Sequence, residues 1–327
     1  MIQSINFPLA EENAAAAGGW NGLREALRSL RLDGVEGIWA GVDIPPSFPP
    51  DMLTGYHLTF WPDWLDFYRG DRAALLRKFG SWDTVRQLYG GTEPSCLLDV
   101  YHADLARAAA LNARYVVFHV SDVSLEEGCT YRWQHTSREV LDAALELIGL
   151  LLRDVSPTFD FLVENQWWPG FTFTDPRETE YLLSRLTYPR AGILLDTGHL
   201  MNTELSLRSQ REGVEYILRR IREHGALSQA IRGVHFHQSV SGAYVRKVLR
   251  EGLPELPAEY FAAFRQSYAH IQRIDRHRPW TDPACVRVLE ALQPDYLTHE
   301  LAGTGRSQLA AVKRQLTTIR LDKTHRP

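Results

Sequence analysis

Several short apolar runs in this chain stop on, or carry, side chains that bind metal ions. FDFLVE ends at Glu164, GILLD at Asp196, IRGVH at His235, YLTHE at Glu300 and RYVVFH at His119, while GYHLTF carries His57. A parallel strand buried on both faces reads as a continuous apolar run, and the residue where the run stops lies at the strand's end. Each such residue has an ordinary use by itself: a strand-terminal Asp caps helices, and a buried His is usually just hydrogen-bonded. Together they demand more. Two glutamates and an aspartate converging on one mouth repel one another and lose hydration, so they require a bound cation or several basic partners. A divalent ion held by mixed carboxylate and imidazole ligands meets that requirement. Two further clusters lie close by in sequence. Asp196-Thr197-Gly198-His199 puts an imidazole three residues beyond a carboxylate, and Asp275-Arg276-His277 alternates an acid with an imidazole. The second pattern also suits a surface turn with a salt bridge to Arg276.

Something must hold these ends together. Short β-rich runs alternate with Ala/Leu-rich amphipathic segments along the whole chain, which predicts parallel strands with crossover helices. The expected strands are Ile2–Pro8, Gly37–Ile44, Tyr56–Phe60, Tyr115–Val120, Phe159–Glu164, Gly192–Asp196, Gly233–His237 and Tyr296–Glu300. No GxGxxG follows any of them, which argues against a dinucleotide-binding open sheet. The expectation is an α/β fold, a (β/α)8 TIM barrel in one domain spanning residues 1–327. Helix starts are legible at Thr136 and Ser137, opening a helix to Arg153, and at Asp175-Pro176. Leucines in Leu182–Leu186 and the apolar residues of Ile217–Ile221 recur at helical spacing and read as core. Two long connections, 61–112 and 239–272, interrupt the alternation and are expected to be mouth-side connections or lids.

Composition narrows the class of molecule. The 327 residues are 44% hydrophobic and 23% charged, with a formal charge of −4, which argues against a general electrostatic grip on duplex nucleic acid. Arg219, Arg220 and Arg222, the densest basic stretch, read as a solvated helix face. No basic, apolar leader and no run of roughly 18–20 apolar residues is present, so neither export nor a membrane is expected. Cys96, Cys129 and Cys285 show no zinc or redox spacing, which fits a reducing cytoplasm. The aromatic run FWPDWLDFY, with Trp61 and Trp64, either packs a small core of its own or forms a rim on which a flat ring stacks. Trp167 and Trp168 directly follow the Glu164 element and should border the mouth.

These motifs resemble the xylose isomerase-like TIM-barrel superfamily (AP endonuclease family 2), and within it the endonuclease IV branch. VENQ, DTGH, RGVH and DRH are similar to that branch's elements on strands five, six and seven and in its following metal motif. The resemblance implies that Glu164 bridges two ions, the first completed by His57 and His119, the second by Asp196, His235 and Glu300. It implies a third ion on His199, Asp275 and His277. After RGVH the chain departs from the branch, with Phe236, His237 and Gln238 in place of Leu-Asn-Asp. His237 then either replaces a ligand at the substrate rim or faces the helix layer.

Two chemistries fit such a mouth. Two or three ions (Zn, Mn, Fe or Co) suit phosphodiester hydrolysis by metal-activated water, with a compact nucleotide-like or sugar-phosphate substrate favoured over duplex nucleic acid. The superfamily implied by the resemblance includes a phosphodiesterase that opens the nucleotide loop of cobamides, which makes that loop one candidate. A single ion suits a sugar or sugar-phosphate isomerase or epimerase, with Glu164 and Glu300 as the catalytic acid/base pair.

Overall fold

The computed structural model describes residues 1–156 and 158–324, with side chains to residue 320. Eight parallel strands close in sequence order: β1 (Ile2–Pro8), β2 (Gly34–Ile38), β3 (Leu53–His57), β4 (Tyr115–His119), β5 (Asp160–Glu164), β6 (Ala191–Asp196), β7 (Ile231–His235) and β8 (Tyr296–His299). This is the (β/α)8 TIM barrel expected from the alternation. Registers align the strand ends: His119 pairs with Glu164 and Asp196 with His235. Apolar residues on the outer faces of the strands, among them Val35, Val116, Phe161, Val163, Ile193, Leu195 and Val234, pack against the helices. The helices start where local chemistry places them. Thr136 and Glu139 form a capping box for Ser137–Leu151, and Asp175 caps the helix Pro176–Leu183.

The barrel interior is layered. At its base, the Asp160 carboxylate takes Arg190, Arg232 and the Tyr296 hydroxyl. An apolar plug of Tyr115, Val117, Leu162, Leu194 and Tyr296 follows, with the two tyrosine rings stacked at 4.3 Å. Tyr115 reaches so far across that a Cβ on Gly55 would stand 2.2 Å from its ring, which is why glycine sits there. Above the plug lies a polar layer in which Glu36 accepts hydrogen bonds from the hydroxyls of Tyr115 and Thr298. The ligand-type side chains stand above this layer.

Three strands fall earlier than the apolar runs imply. β2 is Gly34–Ile38 where 37–44 was expected, so Glu36 enters the barrel. The carboxylate breaks the apolar run, and only partners on distant strands make it acceptable inside. β3 ends on His57, and β7 ends on His235 with His237 beyond it.

The long connections carry helices of their own. The first carries helices Leu65–Arg69, Arg72–Phe79, Trp82–Tyr89 and Ser95–Ala110; the second carries Gly242–Glu251 and Tyr260–Ile274. Trp64 is buried in the main core, donates to the Ser121 carbonyl at 2.7 Å and does not line the cavity over the strand ends. The Lys78 ammonium ties that segment down, lying 2.8 Å from Asp63 and 2.7 Å from Asp66. Burial and neighbouring Asp122 push Asp63 up to about 7, whereas Asp66, against its own burial, is held low by His135 and Lys78. No helix among the described residues is long and apolar enough to cross a membrane.

Lys78→Met should therefore leave buried carboxylates facing each other and cost on the order of 3–5 kcal/mol. Urea denaturation reads this as a lower midpoint, and an unchanged midpoint would show that the ammonium is dispensable.

Candidate metal centre

The strand ends bring the ligand-type residues into one connected cluster. Nε2 of His57 and Nε2 of His119 lie 3.4 and 3.2 Å from Glu164 Oε2 and 3.1 Å from each other. Nδ1 of His235 is 3.0 Å from Glu300 Oε2, 3.6 Å from Glu164 Oε2 and 3.7 Å from Asp196 Oδ2. Nε2 of His199 is 3.3 Å from Asp275 Oδ2, and Nε2 of His277 is 2.5 Å from the same atom. Four overlapping groups have ligand atoms lying within 4.8 Å of one another: His57/His119/Glu164, Glu164/Asp196/His235, Asp196/His237/Glu300, and His199/His237/Asp275/His277.

The donor set fits divalent cations. Buried polar atoms are ordinarily hydrogen-bonded, yet Glu164 Oε2, Glu300 Oε2, His235 Nδ1 and His237 Nδ1 have no hydrogen-bond partner. The other ring nitrogen of most of these histidines is tied to an acceptor. His57 Nδ1 lies 2.9 Å from the Leu58 carbonyl, His199 Nδ1 3.0 Å from the Asn165 carbonyl, and His277 Nδ1 3.2 Å from the Glu300 carbonyl. His235 Nε2 lies 2.9 Å from Glu36 Oε1. A proton held on the tied nitrogen leaves a lone pair on the one that faces the cluster, the arrangement of metal-ligating histidines.

Charge within the cluster is mutually compensated. Burial alone would raise the Glu164 carboxyl, but His119 and His235 outweigh it and hold it well below its ordinary pKa. Burial likewise opposes a charged His235, and Glu36, Glu300 and Glu164 overcome it, keeping the imidazole well above its ordinary value. Against burial, Asp275 and Glu300 push His277 up to about 10. His119 goes the other way, lowered by burial more than Glu164 can offset.

Local structure explains the placement. Asp196 divides its oxygens: Oδ1 accepts from the His199 amide and caps the helix Thr197–Asn202, while Oδ2 lies 2.8 Å from His237 Nε2. Asn165 clamps the Asp196 backbone by accepting from its N–H and donating to its carbonyl. Gln166 donates to Glu164 Oε1 at 3.3 Å. His237 is fully buried beside Asp196 and stacks on His277 at 4.2 Å, so it lies neither at an exposed rim nor in the helix layer. Glu36, Asn165 and Gln166 escaped the sequence reading. Asn165 and Gln166 sit in the VENQ element and were open to notice, whereas Glu36 had no local signal.

A cavity of about 950 Å³ opens over the cluster, bordered by Phe60, Trp61, Trp167, Trp168, Phe264 and Tyr268. Trp61 thus borders the mouth even as its Nε1 donates to the Leu88 carbonyl. Arg276 is the one Lys or Arg among the described residues lining it.

Two outcomes are expected from this geometry. Glu36→Gln should weaken metal binding about 10- to 100-fold, as loss of an outer-shell partner does; an unchanged affinity in chelator competition would remove Glu36 from the centre. Because Glu36, Glu300 and Glu164 favour the protonated form of His235, and Asp275 and Glu300 that of His277, binding of an ion here should expel protons and its affinity should rise with pH. Calorimetry in buffers of different ionisation enthalpy measures the release, and none would contradict the charge balance described.

Comparison with known proteins agrees with this architecture. The profile described as xylose isomerase-like TIM barrel matches residues 25–310. Among solved structures, a D-psicose 3-epimerase crystallised in the presence of D-fructose aligns over 99% of both chains at 10% identity and TM-score 0.52. The IolI protein with a bound zinc atom aligns over 99% of this chain and 97% of its own at 12% identity and TM-score 0.50. Endonuclease IV from Thermus thermophilus aligns over 98% of this chain and 100% of its own at 16% identity and TM-score 0.48. No curated protein sequence matches. With a profile match across most of its length and a closed eight-stranded parallel barrel, the chain belongs to the xylose isomerase-like TIM barrel family.

Proposed function

We propose that this protein is a divalent-metal-dependent hydrolase acting on a phosphodiester in a compact nucleotide-like or sugar-phosphate substrate. One observation carries the reading. Glu164 belongs to two ligand groups at once, with His57 and His119 on one side and Asp196 and His235 on the other. A site for a single ion has no use for the first pair of imidazoles. Bound divalent ions would supply ionised water near neutral pH and offset charge on the phosphoryl oxygens.

The chain's own residues do the rest. Glu164, Asp196, His235 and Glu300 hold the inner positions, His57 and His119 extend them, and His199, Asp275 and His277 form the outer group. Arg276 offers an anionic substrate its one fixed cation at the cavity wall. Trp61, Trp167 and Trp168 supply apolar wall that excludes water. A lone lining cation favours a compact ligand over duplex nucleic acid, which calls for clustered Lys and Arg. A cobamide nucleotide loop remains within this class of substrate.

The rival is an isomerase or epimerase using Glu164 and Glu300 as an acid/base pair. It is favoured by their placement, since both carboxylates approach the same His235 nitrogen, Glu164 from the end of β5 and Glu300 from just beyond β8.

Metal analysis of protein purified without chelator, followed by a screen of phosphodiesters and ketoses, separates the two. Two or three ions per chain with phosphodiester cleavage, abolished in Glu164→Gln, are expected. One ion per chain with ketose isomerisation would establish the rival.

A further inference from the structure

His237 has no role in either chemistry, yet it is among the most deeply held side chains at the mouth. We propose that His237 is a metal ligand which completes, with His199, Asp275 and His277, a closed four-ligand site for a divalent transition-metal ion. The proposal rests on the reading above that the mouth holds more than one ion.

The geometry converges on this from several sides. One ring nitrogen of His237 lies within 4.8 Å of a ligand atom from each of the other three residues. The ring is fully buried, and its Nδ1 has no hydrogen-bond partner, while Nε2 faces Asp196 Oδ2 at 2.8 Å. Burying an imidazole with an unused nitrogen is costly unless something engages it.

The surroundings are shaped around the ring. A Cβ on Gly198 would stand 2.0 Å from His237 Cε1, so the glycine of Asp196-Thr197-Gly198-His199 is the space the imidazole occupies. The Thr197 hydroxyl donates to the His237 carbonyl at 2.6 Å and fixes the backbone. An antiparallel bridge between Gln238 and Arg278 aligns the two segments so that His237 and His277 stack with an interplanar angle of 10°. His277 itself adopts φ +42°, a left-handed conformation that a non-glycine residue keeps only when its surroundings enforce it. Ser239 donates to Asp275 Oδ1 at 3.3 Å, orienting the one carboxylate of the set.

The ligand chemistry sets this site apart from the inner one. Three imidazoles and one carboxylate suit zinc or cobalt over magnesium or calcium, and four protein ligands leave no open position. The ion held there is a fixed charge that pins the start of the helix Thr197–Asn202 to the 237–239 and 275–277 segments. Water activation belongs to the inner positions.

The test uses the full chain, purified without chelator, loaded with zinc for metal counting and with cobalt for visible spectra. Wild type should hold three equivalents. His237→Ala should lose one of them selectively to a competing chelator, its affinity falling by at least about 100-fold, beyond the 10- to 100-fold typical of outer-shell partners. Gly198→Ala, whose methyl displaces the ring, should do the same, and His237→Cys in the cobalt protein should add a thiolate-to-cobalt absorption band. The two equivalents retained by these variants, with unchanged far-UV circular dichroism, certify the fold. Three equivalents of unchanged affinity in His237→Ala, with no new band in His237→Cys, would overturn the proposal and leave the multi-ion reading standing. Two equivalents in wild type would also overturn it, and one would remove both.

Discussion

Carboxylates taken out of water must meet positive charge or hydrogen-bond donors, and this barrel buries Glu36, Glu164 and Asp196 and partly buries Asp275 and Glu300 around a single mouth. Imidazoles answer that demand in the structure described: His235 sits among Glu36, Glu164 and Glu300, and His277 between Asp275 and Glu300. Carboxylate and imidazole thus favour each other's charged form at His235 and His277, where a bound divalent cation would take the place of the imidazole protons. Much of the upper barrel serves to keep these groups apart by a few ångströms without letting them collapse or hydrate.

The support runs downward in layers. Glu36 receives the hydroxyls of Tyr115 and Thr298 on one oxygen and faces His235 with the other. Tyr115 in turn stands on the apolar plug and is admitted by the missing side chain of Gly55. Rotation of the His235 ring would break a chain of contacts reaching the middle of the barrel. This is what placing a site on rigid strands achieves, since the rotamers of ligands are locked by packing beneath them. Around the rim the logic is different. The helices of the 61–112 segment pack into the main core, Val245 of the 239–272 segment packs with Val123, Trp167 and Trp168, and only selected side chains, such as Trp61, Phe264 and Tyr268, reach the cavity.

The sequence was most informative where one residue answers to two local rules. Asp196 ends an apolar run and precedes a helix, and in the structure it both caps that helix and faces the cluster. Glu164 and His235 were legible because the residues just before each are apolar or glycine, so the terminus stands out; Glu300 was reached by the same rule although Thr298 and His299 precede it. The same rule misplaced β2, since Glu36 is a polar interior residue and made the strand look as though it began later. For Trp64 the sequence left core and rim both open, because an aromatic run has no periodicity that says which rings turn inward. Its indole is satisfied by the Ser121 carbonyl, a partner 57 residues away.

What the sequence by itself determined was the alternation of eight strands with helices, the barrel class and the residue types at most strand ends, because periodicity and capping act over a few neighbouring residues. Which side chains share a site was decided only by tertiary structure. Glu36 meets His235 across 199 positions of sequence, and His237 meets Asp275 and His277 through a bridge between Gln238 and Arg278. Such contacts depend on the closure and register of the barrel and on how its loops fold back over the mouth. No local pattern encodes a distance between two strand ends, and the chemistry of the mouth lies in those distances.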